Sequence, residues 1–355
     1  MDKSPISIEI VRSSIPFYSS MGIESCEMIL ETLRKHYDNV IISVVNDYED
    51  LVLLISRRPG LVFLGVKYIP SNINGILNDD RIWISGELEK AGIKYTGSGA
   101  EAISLDFDKT RAKTVVTAAG LKTSLSFSAS INQFTVNDKL PLDYPLFIKP
   151  PNMGGGKGVG PDSVVRDFKS FNNKIISINK AFGVDALVEE YLTGKEYSVA
   201  ILDSLGQADP LVMPIELIAP RNNQGDRILG QIIKADDVEE SAAVEEGELR
   251  DQICSLALNV FRAIGAEDYG RVDIRLSSSG ESNFLEANLI PGLALHSFTS
   301  YFMSACEINL KMSYEEIILY ITNLGLQKRS GTTIAHDDET TELKPIYAIP
   351  AVSLI

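Results

Sequence analysis

The segment RVDIRLSSSGESNFLEANL, residues 271–289, constrains the fold more strongly than any other part of the chain. Two runs with apolar residues at alternate positions flank a Ser- and Gly-rich stretch, which is the pattern of two antiparallel strands joined by a turn. We place Ser279 and Gly280 at the centre of a two-residue turn. The apolar side chains then share one face of the hairpin, as a packed layer requires: Val272, Ile274, Leu285 and Ala287.

The other face of this hairpin gathers polar side chains. In the same register Asp273 lies opposite Glu286, and Arg271 lies opposite Asn288. Opposed carboxylates repel unless a cation lies between them, and carboxylate and amide oxygens suit Mg²⁺ or Mn²⁺. Arg271 beside them can hold an anion that the metal also contacts. The alternative interpretation is a solvated sheet face with a cross-strand ion pair.

The charge balance limits the partners of the chain. Its 355 residues include 33 Lys plus Arg and 48 Asp plus Glu, which gives a formal net charge of −15. Such a chain repels the phosphate backbone of nucleic acids and anionic membrane surfaces, so neither is an expected partner. Any anionic ligand must be met by cations concentrated at one place. The composition, with 45% hydrophobic and 23% charged residues, is that of a globular protein.

Cysteine usage and the first residues predict a cytoplasmic protein. The three cysteines, Cys26, Cys254 and Cys306, lie far apart, so neither a disulfide framework nor a CxxC zinc site is expected. The opening MDKSPISIEIV lacks the basic and continuous apolar regions of a signal peptide, and no apolar run reaches the ~18 residues of a membrane span.

The hydrophobic pattern predicts a mixed fold. In the first hundred residues, apolar runs such as ISIEIV, NVIISVV and GLVFLGV alternate with amphipathic segments, which is typical of a small parallel α/β domain. Residues 105–120 predict a strongly helical stretch that Gly120 ends. Farther along, DALVEEYLTGKEYSVAILD predicts two strands around a Thr-Gly turn.

A glycine-rich loop, NMGGGKGVG at residues 152–160, follows a strand that ends at Lys149. Glycines let backbone N–H groups approach phosphate oxygens closely, and such loops bind anions. The loop matches neither the Walker A pattern nor the dinucleotide fingerprint. Lys149 would project near the same space, which favours an anion site, and an ordinary loop is the alternative interpretation.

The order of these features resembles the ATP-grasp superfamily and, within it, the D-alanine–D-alanine ligase branch. The likeness rests on YTGSGAEAISLDFDKTRAK, LVEEYLTGKEYSVAIL and GRVDIRLSSSGESNFLEANLIPGLALHS. It implies an α/β (α+β) ATP-grasp fold, in which an N-terminal parallel α/β domain precedes two α+β subdomains that sandwich ATP. The implied parts are the N-terminal domain (1–105), the central subdomain with the glycine-rich loop (106–193), the C-terminal subdomain with the metal site (194–325) and an extended tail (326–355).

The resemblance also implies roles for individual residues. Asp273, Glu286 and Asn288 would bind Mg²⁺ or Mn²⁺, in agreement with the hairpin argument. The residues implied in catalysis are Arg271, Lys149 and Gly292, the last through its backbone N–H. Those implied in ATP binding are Lys109, Lys149, Gly155, Gly156, Lys157, Glu189, Glu190, Leu192 and Glu196.

The implied reaction forms an amide in two steps. A substrate carboxylate attacks the γ-phosphate of ATP and gives an acylphosphate and ADP, and an amine then attacks the acyl carbon and releases phosphate. The implied cofactors are ATP and Mg²⁺, the implied partners are small amino-acid-like molecules, and a homodimer agrees with the resemblance.

Several departures from the family pattern concern the substrates. A glutamate that holds the first substrate's ammonium in the family is absent, and Ser19 or Ser20 lies near its expected place. Gly155 stands at the position of a loop serine. The mobile-loop tyrosine is missing from residues 215–240, where Arg227 or Lys234 would supply the charge instead.

Two further residues match the family's binding position for the second substrate's carboxylate. These are His296 and Ser297, which follow the sequence IPGLAL.

These observations lead to three functional hypotheses. The leading one is an ATP-dependent carboxylate–amine ligase with a specificity other than D-alanine. The alternative is a divergent D-alanine–D-alanine ligase of cell-wall synthesis. A nucleotide-binding regulator without turnover is the hypothesis from a different class.

Overall fold

The computed structural model describes residues 3–15, 18–71, 81–204, 209–295 and 300–328. Within these ranges the chain forms four sheets, and the three larger ones follow one another along the sequence. No helix in the same ranges is long and apolar enough to cross a membrane.

The first part of the chain is built around a parallel three-stranded sheet with the strand order β2-β1-β3. Its strands are apolar and almost fully buried at their centres, because helices pack against them. This confirms the parallel α/β arrangement predicted for the first hundred residues. The elements are β1 (Ser4–Arg12), α1 (Ile23–Leu33), β2 (Tyr37–Val44), α2 (Tyr48–Ser56), β3 (Leu61–Leu64), β4 (Tyr68–Pro70), β5 (Arg81–Trp83), α3 (Ile84–Lys90) and α4 (Ala100–Phe107).

The stretch of residues 105–120 is interrupted rather than continuously helical. Helix α4 ends at Phe107, and α5 (Lys109–Ala118) begins two residues later. Asp108 between them is extended, and its carboxylate accepts hydrogen bonds from the backbone N–H groups of Thr110 and Arg111. An aspartate at this position stabilises a helix start, and the break brings Lys109 to the N-terminal end of α5.

The middle of the chain forms an antiparallel sheet with the order β6-β9-β7-β8. Its core is formed by apolar residues of the strands and of one helix that covers them. The elements are β6 (Ser126–Ala129), β7 (Leu146–Lys149), a 3₁₀ turn (Pro161–Ser163), β8 (Val164–Val165), α6 (Phe168–Phe182) and β9 (Ala186–Glu190).

The last part forms an antiparallel five-stranded sheet with the order β12-β11-β10-β13-β14. The two strands predicted around the Thr-Gly turn are β9 and β10, and they belong to different sheets, so the turn connects the two sheets. The elements are β10 (Glu196–Leu202), β11 (Leu211–Ile218), α7 (Gln231–Asp236), β12 (Glu240–Ala243), α8 (Glu248–Ala263), β13 (Tyr269–Leu276), β14 (Ser282–Asn288), α9 (Tyr301–Leu310) and α10 (Tyr314–Gln327).

The register of the β13–β14 hairpin is confirmed at its polar pairs and differs near the turn. Asp273 pairs with Glu286 and Arg271 pairs with Asn288, as predicted. Leu276 pairs with Ser282, so the connection is longer than two residues, and a bulge follows Asp273. The longer turn and the bulge shift the pairing in opposite directions, so the polar pairs are the predicted ones.

The bulge changes which side chain faces the core. Leu285, predicted on the core face, lines a cleft instead. Phe284 takes the core position and is fully buried.

The tail predicted at residues 326–355 begins inside α10, which continues to Gln327. From residue 329 onward the tail lies outside the described residues. The division of the chain into domains at residues 105, 193 and 325 stays a prediction.

Candidate active site

Two adjoining clefts lie against the five-stranded sheet. The first lies between this sheet and the four-stranded sheet, and the second lies between it, the glycine loop and residues of the first part of the chain. The first cleft spans about 780 Å³ and the second about 580 Å³, and both volumes include space open to solvent. Four residues line both and form the boundary between them: Lys109, Met153, Lys234 and Glu286.

A buried ion-pair cluster forms one wall of the first cleft. Lys149, the last residue of β7, lies 2.8 Å from Glu189 at the end of β9, and Lys113 of α5 lies 2.7 Å from the other oxygen of the same carboxylate. Burial by itself would raise the pKa of Glu189, but the two ammonium groups outweigh it and lower this pKa to about 2. Glu189 is therefore a carboxylate between two lysines.

Lys109 links the glycine loop to the acidic hairpin. Its ammonium donates a 2.7 Å hydrogen bond to the backbone oxygen of Met153 and lies 3.3 Å from Glu286. The side chain is buried at the boundary of the two clefts. A cation in this position can contact phosphate oxygens of a ligand that extends from one cleft to the other.

The glycine loop follows Lys149 and covers the clefts. Gly155 lines the second cleft and Gly156 the first, and both have a positive φ, +64° and +72°. A Cβ at position 156 would lie 2.9 Å from the backbone nitrogen of Gln231. The loop therefore packs closely on the start of α7, and this approach requires glycine.

The acidic pair of the hairpin lies where the clefts meet. Asp273 accepts a 2.7 Å hydrogen bond from Ser198 and a 3.1 Å hydrogen bond from Arg271. Burial raises the pKa of Asp273, and the Arg271 charge opposes the change only in part. The pKa of Glu286 is lowered to about 2, because Lys109 and Lys149 outweigh the effect of burial. The two neighbours thus differ in how well their negative charge is compensated.

The donor set fits a small oxygen-preferring cation. Asn288 lines the second cleft, and its Oδ1 atom is buried without a hydrogen-bond partner in the described part of the chain. Asp273 and Glu286 supply two carboxylates beside it. The described residues bring no third Asp, Glu, His or Cys into such a group. Mg²⁺ commonly takes one or two carboxylates and completes its shell with water and phosphate oxygens, so these residues fit it.

The segment that connects the two sheets lines the far end of the first cleft. Glu190 and Leu192 both lie there, and the Glu190 carboxylate accepts a 2.9 Å hydrogen bond from the backbone of Leu125. Glu196 also lines this cleft, 2.9 Å from Arg275, and its pKa is raised because burial outweighs the attraction of that arginine.

The remaining predicted residues are only partly gathered at the clefts. Lys157 lines the first cleft. Gly292 follows β14 and is not among the described residues that line either cleft. Ser20 donates its backbone N–H to Gly65 in the N-terminal domain and, like Gly292, contributes to neither lining. His296 and Ser297 lie outside the described residues.

The structure distinguishes between the two cations proposed for the mobile loop. Lys234 of α7 is buried at the boundary of the clefts, with its ammonium 5.6 Å from the centre of the Tyr301 ring. Arg271 stacks on the same ring at 5.1 Å. Arg227 instead donates to the backbone oxygen of Ala219, so Lys234 is the better candidate.

Other contributions were not predicted from the sequence. Lys67 and Asp106 line the second cleft and form a 2.8 Å ion pair, while Asp106 also accepts a hydrogen bond from the backbone of Leu289. Tyr301 lines the same cleft. Lys113, which pairs with Glu189, was not predicted either. Its position one helical turn after Lys109 is a local signal in the sequence, because this spacing puts both lysines on one side of α5.

Solved structures share this arrangement of sheets. The D-alanine–D-alanine ligase from Bacillus anthracis, solved with ATP, aligns with a TM-score of 0.67 and 18% identity over 90% of this chain and 97% of that chain. The VanG D-Ala:D-Ser ligase from Enterococcus faecalis aligns with a TM-score of 0.63 and 19% identity over 90% and 99%. At such identities the likeness supports the fold alone. The fold is the predicted ATP-grasp fold.

Sequence relatives define the family. The model described as D-ala D-ala ligase C-terminus matches residues 121–321. The D-alanine–D-alanine ligase of Bordetella petrii is 32% identical over 249 residues, which cover 68% of this chain and 70% of that protein. The enzyme of the same name from Chlorobaculum tepidum is 31% identical over 265 residues, 70% of this chain and 67% of that protein.

The fold and the matches define an ATP-grasp enzyme, an ADP-forming ligase. More particularly, the chain belongs to the D-alanine–D-alanine ligase family. This confirms the resemblance and counts against a nucleotide-binding regulator without turnover.

Proposed function

We propose that the chain joins two D-alanine molecules into a dipeptide and converts ATP to ADP and phosphate. The observation that carries the proposal is the junction of the two clefts, where Arg271 and the acidic pair of the hairpin lie beside the buried lysines. The relatives that share this sequence pattern are named for the same reaction. They favour the alternative hypothesis of the sequence analysis, and the specificity other than D-alanine is not confirmed.

The first cleft would hold the nucleotide. Leu192 supplies an apolar wall near Glu190, and Glu196 can accept hydrogen bonds from ribose hydroxyl groups. Lys149 and Lys109 follow along the cleft towards the second cleft, so they would contact successive phosphates. The adenine would therefore lie near Glu190 and Leu192, and the phosphates would lie near the two lysines.

Magnesium would be held by the acidic pair together with the orphaned Oδ1 atom of Asn288. When bound, Mg²⁺ would neutralise negative charge that builds on the phosphate oxygens. Arg271 reaches the same junction from the neighbouring strand position and would stabilise the phosphoryl group while it moves to the substrate carboxylate.

Exclusion of water would be the task of the glycine loop. An acylphosphate hydrolyses easily, so the second cleft must be closed before the amine attacks. Gly156 already packs against the start of α7, and Lys109 holds the Met153 carbonyl group of the same loop. With these contacts the loop would cover the reacting groups.

The competing candidate is a ligase that joins D-alanine to a different amino acid. The second cleft contains the Lys67–Asp106 pair, and Gly155 stands at the position of the family's loop serine. Both features lie in the part of the site that would hold amino acids. They favour an acceptor that differs from D-alanine in its side chain.

The test measures product formation from defined amino acids. Purified protein with ATP, Mg²⁺ and D-alanine should form ADP and D-alanyl-D-alanine in equal amounts, detected by coupled ADP release and mass spectrometry. The same assay with D-alanine and each other D- or L-amino acid tests the acceptor. A mixed dipeptide formed in large excess over D-alanyl-D-alanine would overturn the proposal in favour of the competing candidate.

We also propose a cytoplasmic homodimer, in keeping with the use of ATP and with the family resemblance. Light scattering coupled to size-exclusion chromatography would measure the mass in solution, and a mass of one chain would contradict the dimer.

A further inference from the structure

We infer that Lys113, which does not line either cleft, is a positioning residue that keeps Lys149 available for the phosphates of ATP. The inference rests on the proposed nucleotide site and deepens it. The structure places Lys113 behind Glu189, on the side away from the first cleft, while Lys149 and Glu189 both line that cleft.

The carboxylate of Glu189 is shared between two lysines. Its Oε1 atom lies 2.7 Å from the ammonium of Lys113, and its Oε2 atom lies 2.8 Å from that of Lys149. All three side chains are at least nine-tenths buried, so solvent screens their charges weakly. Two ammonium groups and one carboxylate leave one net positive charge in the cluster.

Lys113 is paired with Glu189 and surrounded by further oxygen atoms, although burial outweighs the attraction of Glu189 and lowers the pKa of Lys113. Besides Glu189, its ammonium donates to Thr123 Oγ1 at 2.8 Å, to Ser124 Oγ at 2.6 Å and to the Ser124 carbonyl oxygen at 3.1 Å. An ammonium group has three N–H donors, and these four acceptors use all of them. Lys113 therefore cannot turn to a ligand, and its charge serves the cluster.

Lys149 is in the opposite situation. Among the described residues Glu189 is the one group in direct ion-pair contact with its ammonium, while Glu286 and Glu196 act on it from farther away, so donors of this ammonium remain for a ligand in the cleft. Without Lys113, one lysine and one glutamate would form a neutral pair, and Glu189 would hold Lys149 more tightly. Removal of the hidden lysine should therefore weaken the attraction of the cleft for a polyphosphate.

A charge cycle at Lys113 and Glu189 tests this inference. We would compare Lys113→Met, Glu189→Gln and the double variant Lys113→Met/Glu189→Gln with the wild type. The net charge of the cluster is one positive in the wild type, zero in the first variant, two positive in the second and one positive again in the double variant. Neither substitution changes Lys149 itself.

The measurement is calorimetric binding of ATP with Mg²⁺ and, separately, of adenosine, which has no phosphate. Lys113→Met should weaken ATP binding by about tenfold, which corresponds to ~1.4 kcal/mol. Adenosine binding should change less than about twofold, because the adenine end of the cleft is intact. The double variant should bind ATP within about threefold of the wild type. A role in packing alone predicts no such rescue.

Two results would overturn the inference. One is ATP binding by Lys113→Met that equals that of the wild type. The other is a double variant that binds ATP as weakly as Lys113→Met does. If Lys113→Met does not fold, Glu189→Gln decides, because it should bind ATP more tightly and with a steeper salt dependence, and unchanged ATP binding would overturn the inference. The binding assays contain no amino acid, so their outcome does not depend on whether D-alanine is a substrate. Failure of this inference and failure of the proposed reaction can therefore be told apart.

Discussion

Asp273 and Glu286 are opposed across one hairpin but differ in electrostatic environment. Burial raises the pKa of Asp273, whereas Lys109 and Lys149 overcome burial and lower the pKa of Glu286 to about 2. A cation between the two carboxylates would relieve the incomplete compensation at Asp273. The same pair therefore has a greater need for a bound metal than an ordinary cross-strand ion pair would have.

We expect Asp273→Asn and Glu286→Gln each to reduce kcat by roughly 100-fold or more, because each removes one negative ligand of the proposed metal site. Steady-state ADP release would measure the effect, and titration with Mg²⁺ should show a higher concentration for half-maximal activity. Thermal unfolding should change little, since both substitutions preserve shape.

The control for these variants is Glu281→Gln, at the exposed end of the same hairpin. Glu281 pairs with Lys122, is about half exposed and is not among the described residues that line either cleft. Its substitution should leave kcat within about twofold of the wild type, as is usual for a surface ion pair. Equal activity of the control and both site variants would contradict the metal assignment.

At the residue scale, the sequence predicted the contacts that depend on local periodicity. Asp273 and Glu286 could be paired because side chains alternate along strands and the turn lies nearby. The pairs Lys113–Glu189 and Lys67–Asp106 could not be predicted in this way. Their partners come from separate elements that only the packed fold brings together.

At the scale of elements, the glycine loop packs closely on the start of α7. A Cβ at Gly156 would lie 2.9 Å from Gln231 N and 3.0 Å from Gly230 C, and the φ of +72° also disfavours a side chain. Gly154, two residues earlier, has open space around the same position and no such φ. The two glycines thus form a matched pair for substitution.

We expect Gly156→Ala to lower kcat/KM for ATP by about tenfold or more, because the loop must move away from α7 to accommodate the methyl group. It should also raise the fraction of ATP hydrolysed without dipeptide formation, since the cover no longer excludes water. Gly154→Ala should remain within about twofold in both quantities. Parallel assays of ADP and dipeptide give the ratio, and identical ratios in the two variants would contradict the role of this contact.

The boundaries of helices and strands could be predicted from the sequence only where a clear local pattern marks them, such as an apolar run or a capping residue. The strands of the N-terminal sheet follow from continuous apolar runs, and the break at Asp108 could have been recognised from its capping position before Thr110 and Arg111. The turn between β9 and β10 carries no signal that its strands belong to different sheets. That assignment depends on pairing partners far away in the sequence.

At the scale of the whole molecule, three distant segments meet at Asp268. This residue precedes β13, and its carboxylate accepts a 2.8 Å hydrogen bond from the backbone of Gly97. It lies 3.5 Å from the ammonium of Lys328, beyond the end of α10, and that ammonium also contacts Glu267 and lies over the Tyr95 ring. The contact therefore ties the N-terminal domain to the last helix and to the sheet of the acidic hairpin.

The titration of Asp268 should couple this junction to pH. Burial raises its pKa to about 7, against the opposing effect of Lys328. Between about pH 4 and pH 7 the folded chain keeps a proton on Asp268 that the unfolded chain has lost. The free energy of unfolding therefore falls as the pH rises through this range, and the decrease levels off above pH 7. Asp268→Asn removes this dependence, and asparagine also tolerates the positive φ of +60° at this position. Urea unfolding at pH 5 and pH 8 should therefore show the variant gaining stability relative to the wild type at the higher pH. A difference between the two proteins that stays constant over this range would show that Asp268 is ionised throughout.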